Sequence, residues 1–241
     1  MNTMKNQFKT HRKAIARSNC RRVSLGTESP LGKDPDYLRV VTFNVWNMGE
    51  NVDGGLRKIA KQILKMNADI VALQEASSAS NLLLLRCYLG TGWQSVGHAD
   101  FSNEGVMGNA FLVKGDFRFL NTLRWKDIER GFIGVRVESA SGQRRNQGTI
   151  MNLTTMRCLD SPDVGFVDTY RKVHPNVVGK PGHTWSPVEG NVPQDRIDFI
   201  SIRDRKGKFK IRASETYSGG GVANAWPSDH AAVYTDLELA C

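Results

Sequence analysis

The sequence predicts an α/β protein with a mixed sheet system in one domain, and three observations predict it. The first ordered stretch alternates strand, helix, strand and helix, a pattern that implies an early parallel pairing. The rest of the chain is mostly strand-like, and 241 residues are enough to bury a large core without staples. No apolar run approaches the roughly 18 residues that a membrane helix needs, which argues against a transmembrane protein.

Hydrophobic periodicity defines the first three elements. β-branched and aromatic residues fill residues 38–46, which predicts a strand. Apolar residues recur at helical spacing through residues 54–67, which predicts an amphipathic helix. Residues 69–74 form a short apolar run that is typical of a strand buried on both faces.

A second helix and a series of strands follow. The helix is expected through residues 82–85, with Ser77 or Ser78 as its N-cap and Gly90 or Gly92 at its end. Several later runs have the length and composition of strands. They are residues 94–98, 109–113, 117–123, 132–138, 147–153, 195–202, 209–216 and 231–239.

The N-terminal residues 1–36 differ in composition from the rest. They are polar and basic and end in Pro30, Gly32 and Pro35, which predicts a disordered leader before a domain spanning 37–241. They contain eight Lys/Arg and three Asp/Glu, so they hold +5 of the chain's net charge of +9. This charge suits an anionic partner such as nucleic acid or a lipid surface, and it equally suits a solubilising tail.

Two features of the leader bear on location. It lacks the long apolar run of a secretory signal, so we expect an intracellular protein. Seven Lys/Arg precede the first acidic residue, which keeps organellar targeting open as an alternative to a disordered basic tail. The four cysteines are widely spaced and form no CxxC pair, which predicts reduced thiols rather than a disulfide framework or a zinc site.

Polar side chains end the first two predicted strands. Asn44 closes a strand-like run, where it is either a turn former or an amide directed at a phosphate or a metal-bound water. Glu75 follows an apolar strand directly, where it is either a solvated loop residue or an oxygen ligand for Mg²⁺. The functional interpretation is favoured by position, because ligands gather at strand ends in α/β sheets.

Two acidic residues and a histidine stand out near the C-terminus. Asp198 lies between two apolar residues in a strand-like run, and a buried carboxylate needs a partner. Asp229 and His230 precede the last strand, where they form either a surface pair or part of a site. Asp198 is the natural carboxylate to orient His230, because a carboxylate behind an imidazole fixes its tautomer and favours its charged form.

Six segments stand out in chain order. They are TFNVWN (42–47), VALQE (71–75), GFVDTYRKVHP (165–175), GHTWSP (182–187), DRIDFI (195–200) and PSDHAAV (227–233). Taken together, from about residue 38 to residue 239, the chain resembles the endonuclease/exonuclease/phosphatase superfamily. This resemblance implies two mixed β-sheets packed as a sandwich with helices on the outer faces, and metal-dependent phosphoesterase activity.

The resemblance implies roles for these residues. Asn44 and Glu75 help to hold one Mg²⁺ or Mn²⁺, and His230, oriented by Asp198, donates hydrogen bonds to the phosphate. Asp229 contacts the metal or its water network and is the remaining candidate base. Asn152, in the matching strand GTIMNLTTM, and Asn44 bind the substrate.

One expected motif is missing. Members of this superfamily carry a buried strand ending in Gly-Asp-x-Asn, which the chain does not contain. Only 15 residues separate Asn152 from Asp168, too few for the usual helix and strand, and Thr154 stands at the usual histidine position. We therefore expect an inner strand to be missing and activity to be impaired. A deleted segment is a better explanation than replacement of the lost acid by Asp160.

The sequence thus favours Mg²⁺-dependent hydrolysis of phosphodiester or phosphomonoester bonds, with nucleic acid as the favoured substrate. A catalytically dead phosphate- or nucleic-acid-binding relic of the same fold is the alternative. A non-functional truncated product is a third interpretation. The sequence does not identify the substrate or the oligomeric state.

Overall fold

The structure is a computed structural model that describes separate stretches of the chain. These are residues 21–76, 78–97, 108–115, 117–125, 132–139, 148–151, 165–186, 193–204, 207–219 and 227–239. Ser77, Asn152, Thr154 and Asp160 lie outside the described residues.

The described strands in chain order are β1 (Leu38–Asn44), β2 (Ile70–Gln74), β3 (Trp93–Gly97), β4 (Ala110–Lys114), β5 (Phe117–Trp125), β6 (Phe132–Ser139), β7 (Gly148–Met151), β8 (Val167–Asp168), β9 (Ser201–Ile202), β10 (Phe209–Tyr217) and β11 (Ala232–Leu239). Six of them form a mixed sheet at the centre of the described structure, with the order β10-β11-β1-β2-β4-β3. β1 and β2 are parallel, as the alternating pattern predicts, and the other neighbours are antiparallel. The α/β class is therefore confirmed.

Two helices cover one face of this sheet. Helix α1 (Gly55–Met66) and helix α2 (Ala79–Leu89) pack their apolar residues against one face of β1, β2 and β4. Ser78 caps α2 by accepting the backbone N–H of Asn81, and Gly90 ends it, as the sequence predicts. The period of apolar residues therefore accounts for α1, whereas the cap residues account for the two ends of α2.

A second sheet lies on the opposite face. It has the order β5-β6-β7 and is antiparallel in the described residues. Phe117 and Phe119 of β5 pack against a cluster containing Ile70 and Phe111 of the central sheet. The chain therefore forms the expected sandwich, in which the central sheet is buried between helices and a smaller sheet.

One predicted strand is mostly wrong. Residues 195–202 are strand only at β9, and β9 pairs with β8. The backbone N–H groups of Ile197 and Asp198 both donate to the Thr184 hydroxyl at 3.1 Å. A side chain therefore replaces the strand ladder here, and composition does not reveal that competition.

A short helix that the sequence did not predict precedes this segment. Helix α3 (Thr169–Val173) begins at Asp168, whose carboxylate accepts the N–H groups of Tyr170 and Arg171. Arg196 binds the same carboxylate with two hydrogen bonds of 2.7 and 2.6 Å. The segment containing β9 is thereby tied to the start of α3.

Residues 21–36 lie against the helical face. The N–H of Val23 donates to the carbonyl of Tyr88 at 2.9 Å, and the N–H of Leu31 donates to that of Lys65 at 2.7 Å. Both apolar side chains pack against the core. The division of the chain at residue 36 stays a prediction, and residues 1–20 lie outside the described residues.

Cys87 corrects the expectation of reduced thiols. It is disulfide-bonded, although no CxxC spacing marks it in the sequence. The other three cysteines lie outside the described residues. Within the stretches that the structure describes, no helix is long and apolar enough to cross a bilayer.

Candidate active site

Asn44 and Glu75 lie side by side because they end two parallel neighbouring strands. Asn44 is opposite Gln74 in the register of β1 and β2, so both strands end at one edge of the sheet. The Asn44 side-chain amide donates to Glu75 Oε1 at 3.0 Å, and Asn44 Oδ1 accepts the N–H of Trp46 at 3.0 Å. The structure thus brings this predicted pair together and fixes the orientation of the amide.

The backbone at this edge adopts an uncommon conformation. Trp46, Asn47 and Met48 have φ values of 41°, 52° and 58°, and Glu75 has a φ of 56°. Such left-handed residues cost about 1–3 kcal/mol each when they are not glycine, and they persist only where the surroundings hold them. Here the N–H of Asn47 donates to Glu75 Oε2 at 3.0 Å. The strained loop therefore positions the Glu75 carboxylate.

His230 and Asp198 form a buried pair. His230 Nδ1 lies 2.7 Å from Asp198 Oδ2, and the two side chains are only 7% and 8% exposed. An ionised carboxylate only accepts hydrogen bonds, so Nδ1–H donates and Nε2 is left to face the site. The orientation that the sequence predicted for His230 is present.

Ser228 joins this pair to the strand ends. Because β11 runs antiparallel to β1, the start of β11 lies beside the carboxyl end of β1. The Ser228 hydroxyl donates to the backbone carbonyl of Asn44 at 2.8 Å and accepts the N–H of His230 at 3.1 Å. One buried hydroxyl therefore holds His230 close to Asn44 and Glu75.

Asp229 stands beside His230 without a direct hydrogen bond to it. Asp229 Oδ1 is 4.0 Å from His230 Nε2 and 3.3 Å from the Ser228 hydroxyl. Asp229 Oδ2 accepts the indole N–H of Trp185 at 3.1 Å. The side chains of Asn44, Glu75, Asp198, Asp229 and His230 thus belong to one connected group, while Asn152 lies outside the described residues.

Sequence reasoning missed the residues that hold this group together. Thr184, Trp185 and Ser228 lie within segments that carry the family resemblance, but no spacing rule assigned them a partner. The feature of the sequence that could have indicated these three residues is their position in the segments that contain or adjoin the candidate site residues. Long-range contacts such as Trp185 to Asp229 become visible only in the folded chain.

The surroundings of His230 favour its charged form. Burial by itself lowers the pKa of His230, but the hydrogen bond to Asp198 and the charges of Asp198, Asp229 and Glu75 outweigh it, so the pKa is raised. A raised pKa in the folded state means that folding favours the protonated imidazole. The group can therefore present a positively charged N–H donor.

We expect Asp198→Asn to lower the pKa of His230, because burial then acts with less opposition. An NMR titration of the His230 ring in metal-free buffer measures this pKa. The stability that the raised pKa confers is present below the unfolded value of about 6.5 and is lost as the pH rises through the folded pKa. The stability advantage of wild type over Asp198→Asn should shrink over that range. Equal His230 pKa values in the two proteins would contradict this account.

The oxygen donors fit a magnesium ion that keeps much of its water. Each Glu75 oxygen accepts one hydrogen bond in the structure, which leaves a further lone pair on each. Mg²⁺ is usually bound by one or two carboxylates and retains several waters. Among the residues that the structure describes, no three His, Cys, Asp or Glu side chains form a group that could hold a metal. Carboxylate and amide oxygens are the ligand type of a magnesium site, and Glu75 and Asn44 supply oxygens of that type.

Comparison with solved structures gives consistent matches. TDP2 of Danio rerio, solved in complex with a single-stranded DNA product, is 13% identical with a TM-score of 0.65, over 85% of this chain and 100% of that one. The human Nocturnin catalytic domain, solved with a bound sulfate, is 15% identical with a TM-score of 0.62, over 91% and 99%. An endonuclease/exonuclease/phosphatase family protein of Bacteroides thetaiotaomicron is 15% identical with a TM-score of 0.61, over 85% and 98%.

Comparison with protein sequences gives fewer informative matches than comparison with solved structures. No family profile matches the chain. An uncharacterized protein of Caenorhabditis elegans is 28% identical over 290 aligned positions, which cover 83% of this chain and 90% of that protein. The aligned length exceeds the 241 residues of this chain, so the relative has residues within the alignment that this chain lacks. The arrangement of sheets and helices and the structural matches lead to one conclusion: the chain has the fold of the endonuclease/exonuclease/phosphatase superfamily.

Proposed function

We propose that the protein hydrolyses phosphodiester bonds with Mg²⁺ or Mn²⁺ as cofactor, and that nucleic acid is its substrate. The observation that carries the proposal is the convergence of a buried His230–Asp198 pair and the Glu75 carboxylate at one edge of the sheet. Against the effect of burial, neighbouring carboxylates raise the pKa of the His230 imidazole, so it can be a charged donor. Such a donor and a carboxylate with free lone pairs suit a phosphate ester bound between them.

The metal ligands in this proposal are Glu75 and Asn44, with Asp229 contacting the ion or its water. When bound, the ion offsets negative charge on a phosphate oxygen and orients the ester. Asn44 also contacts the substrate, as does Asn152, whose role rests on the sequence alone. Phosphomonoesters are the secondary substrate class, because the same groups would hold their oxygens.

His230 and Asp229 supply the remaining chemistry. His230 Nε2–H donates to a phosphate oxygen, and Asp198 keeps the ring in the tautomer that makes this possible. Asp229 accepts the proton of the attacking water while the water oxygen bonds to phosphorus. The bond from phosphorus to the leaving oxygen then breaks, and that oxygen departs with the electron pair. Asp229 takes the base role because the sequence lacks the Gly-Asp-x-Asn carboxylate.

Two observations favour nucleic acid as the substrate. The chain has a net charge of +9, which suits a polyanion. The TDP2 structure that shares its fold holds a single-stranded DNA product. An intracellular location, with organellar targeting by residues 1–36 as an alternative, is part of the same proposal and is tested by imaging a tagged fusion.

A binding protein without turnover is the second candidate. The missing Gly-Asp-x-Asn motif favours it, as does the finding that no three His, Cys, Asp or Glu side chains among the described residues form a group that could hold a metal. Such a protein would keep phosphate affinity through His230 and Asn44. It would bind oligonucleotides tightly without metal and leave them intact.

The purified full chain distinguishes the two candidates. Single-stranded and duplex oligonucleotides and a generic phosphodiester are incubated with Mg²⁺, with Mn²⁺ and with chelator. Cleavage only in the presence of metal supports the hydrolase. Binding without cleavage, from protein that unfolds cooperatively, overturns the hydrolase and supports the relic.

A further inference from the structure

Trp185 lies at the centre of the backbone contacts that carry the candidate site. Its segment pairs with Asp195 on one side and with His230 on the other. The N–H of Trp185 donates to the carbonyl of Asp195 at 2.9 Å, and the N–H of Ala231 donates to that of Thr184 at 2.7 Å. The position of the Trp185 backbone is therefore fixed independently of its indole ring.

The indole N–H nevertheless has a specific partner. It donates to Asp229 Oδ2 at 3.1 Å, although Trp185 is only partly buried and could have left this group to water. The ring centroid lies 6.2 Å from that of His230 at an interplanar angle of 37°, so the ring is beside the imidazole rather than stacked on it. Packing against His230 alone does not account for the direction of the indole N–H.

Asp229 depends on this bond for its orientation. Its other oxygen, Oδ1, lies 3.3 Å from the Ser228 hydroxyl. That hydroxyl has one hydrogen and already donates to the carbonyl of Asn44 at 2.8 Å. The Trp185 N–H is therefore the stronger of the two donors to Asp229 in the described structure.

The orientation of Asp229 keeps its second oxygen, Oδ1, apart from the His230 ring. Asp229 Oδ1 is 4.0 Å from His230 Nε2, which is too far for a hydrogen bond. A carboxylate free to rotate would close this gap and pair directly with the ring nitrogen, because opposite charges at this distance attract. Such a pair would occupy the N–H that faces the site.

We infer that Trp185 is a positioning residue, whose indole N–H holds Asp229 by Oδ2 and keeps Oδ1 beside His230 Nε2 without bonding to it. Both side chains then remain available to a third group. The functional part of the inference rests on the proposed function, because Asp229 and His230 act on the phosphate there. The contact itself stands on geometry.

Trp185→Phe tests the contact, because it keeps an aromatic ring and removes the donor. We expect kcat for phosphodiester cleavage to fall about 10- to 100-fold, as is typical when a supporting partner of a site is lost. In an Asp229→Ala background the same change should cost no further activity, because Trp185 acts through Asp229. Trp93→Phe is the matched control, since Trp93 is a core tryptophan of β3 outside the site. Additive losses from Trp185→Phe and Asp229→Ala would overturn the inference.

A second measurement does not require activity. In the metal-free protein, Asp229→Ala should shift the Trp185 indole N–H resonance and speed its exchange with solvent, while the Trp93 indole is unchanged. An unchanged Trp185 resonance and exchange rate would overturn the inference. If wild type cleaves no substrate but the Trp185 resonance responds, the proposed function fails and the positioning contact stands.

Discussion

Replacing His230 with alanine is expected to lower the rate of metal-dependent phosphodiester cleavage by about 10²- to 10³-fold, the range for removing one donor to charge that develops in the transition state. The reason is that His230 is the buried, Asp198-oriented donor at the edge where Asn44 and Glu75 meet. The comparison is made by initial rates at saturating metal. Asp198→Asn should have a smaller effect in the same direction, because the imidazole remains.

His174 provides a matched control for this substitution. It is also a partly buried histidine next to a carboxylate, since its Nε2 lies 3.0 Å from Glu215 Oε1. It packs beside Tyr170 of α3, and none of its hydrogen bonds reaches the candidate site. His174→Ala should leave the cleavage rate within about twofold of wild type once folding is matched, as is usual for residues away from the reacting groups. Equal losses from His230→Ala and His174→Ala would remove His230 from the site.

Replacing Arg39 with methionine should have the largest effect on stability. Arg39 is 2% exposed and binds both oxygens of Asp236 at 2.6 Å. Its guanidinium also donates to the carbonyls of Met66 at 2.7 Å and Gly32 at 2.9 Å. Methionine leaves the Asp236 carboxylate buried without its partner, so the free energy of unfolding should fall by about 3–5 kcal/mol. Chemical denaturation measures the loss.

Arg212 supplies the control for that experiment. It pairs with Glu238 at the surface, where the two side chains are 43% and 29% exposed. Surface pairs contribute about 0–1 kcal/mol, so Arg212→Met should change the free energy of unfolding by no more than that. Arg39 of β1 lies opposite Asp236 of β11 in the sheet. If Arg39→Met also cost less than about 1 kcal/mol, this buried pair would not stabilise the contact between the two strands.

The fold followed closely from local patterns. The helical spacing in α1 and the apolar runs of β1 and β2 reflect burial of one stripe or of both faces, and burial is what periodicity records. The strand predicted at residues 195–202 was mostly wrong, because the Thr184 hydroxyl, distant in sequence, accepts hydrogen bonds from the N–H groups of Ile197 and Asp198. Helix α3 was missed because five residues are too few for a periodic signal.

The candidate site was predictable to the extent that it lies at strand ends. Asn44 and Glu75 end neighbouring parallel strands, so their proximity follows from topology. The 2.7 Å contact of His230 with Asp198 was anticipated from the chemistry of an imidazole beside a carboxylate. The hydrogen bond from Trp185 to Asp229 was not anticipated. The sequence does not indicate which acceptor, in a distant loop, an indole N–H will reach.

The sequence also did not predict the left-handed backbone conformation of residues 46–48. Trp46 and Met48 are not residues that favour positive φ, although Asn47 adopts it more readily, and the strand predicted through residue 46 gives no sign of this conformation. Their conformation is imposed by the fold, through the bond from the Asn47 N–H to Glu75 and the burial of Met48. Strain held in this way is visible only once the contacts that oppose it are known.

The most direct test of the central claim is the rate of phosphodiester cleavage by wild type and Glu75→Gln across a range of Mg²⁺ and Mn²⁺ concentrations, with a chelator arm. Glutamine keeps the size of the side chain and one acceptor oxygen but removes the charge that would hold the ion. The account predicts saturable, metal-dependent cleavage by wild type that the chelator abolishes and that Glu75→Gln lacks. Cleavage that survives the chelator, or an unchanged metal dependence in Glu75→Gln, would contradict it.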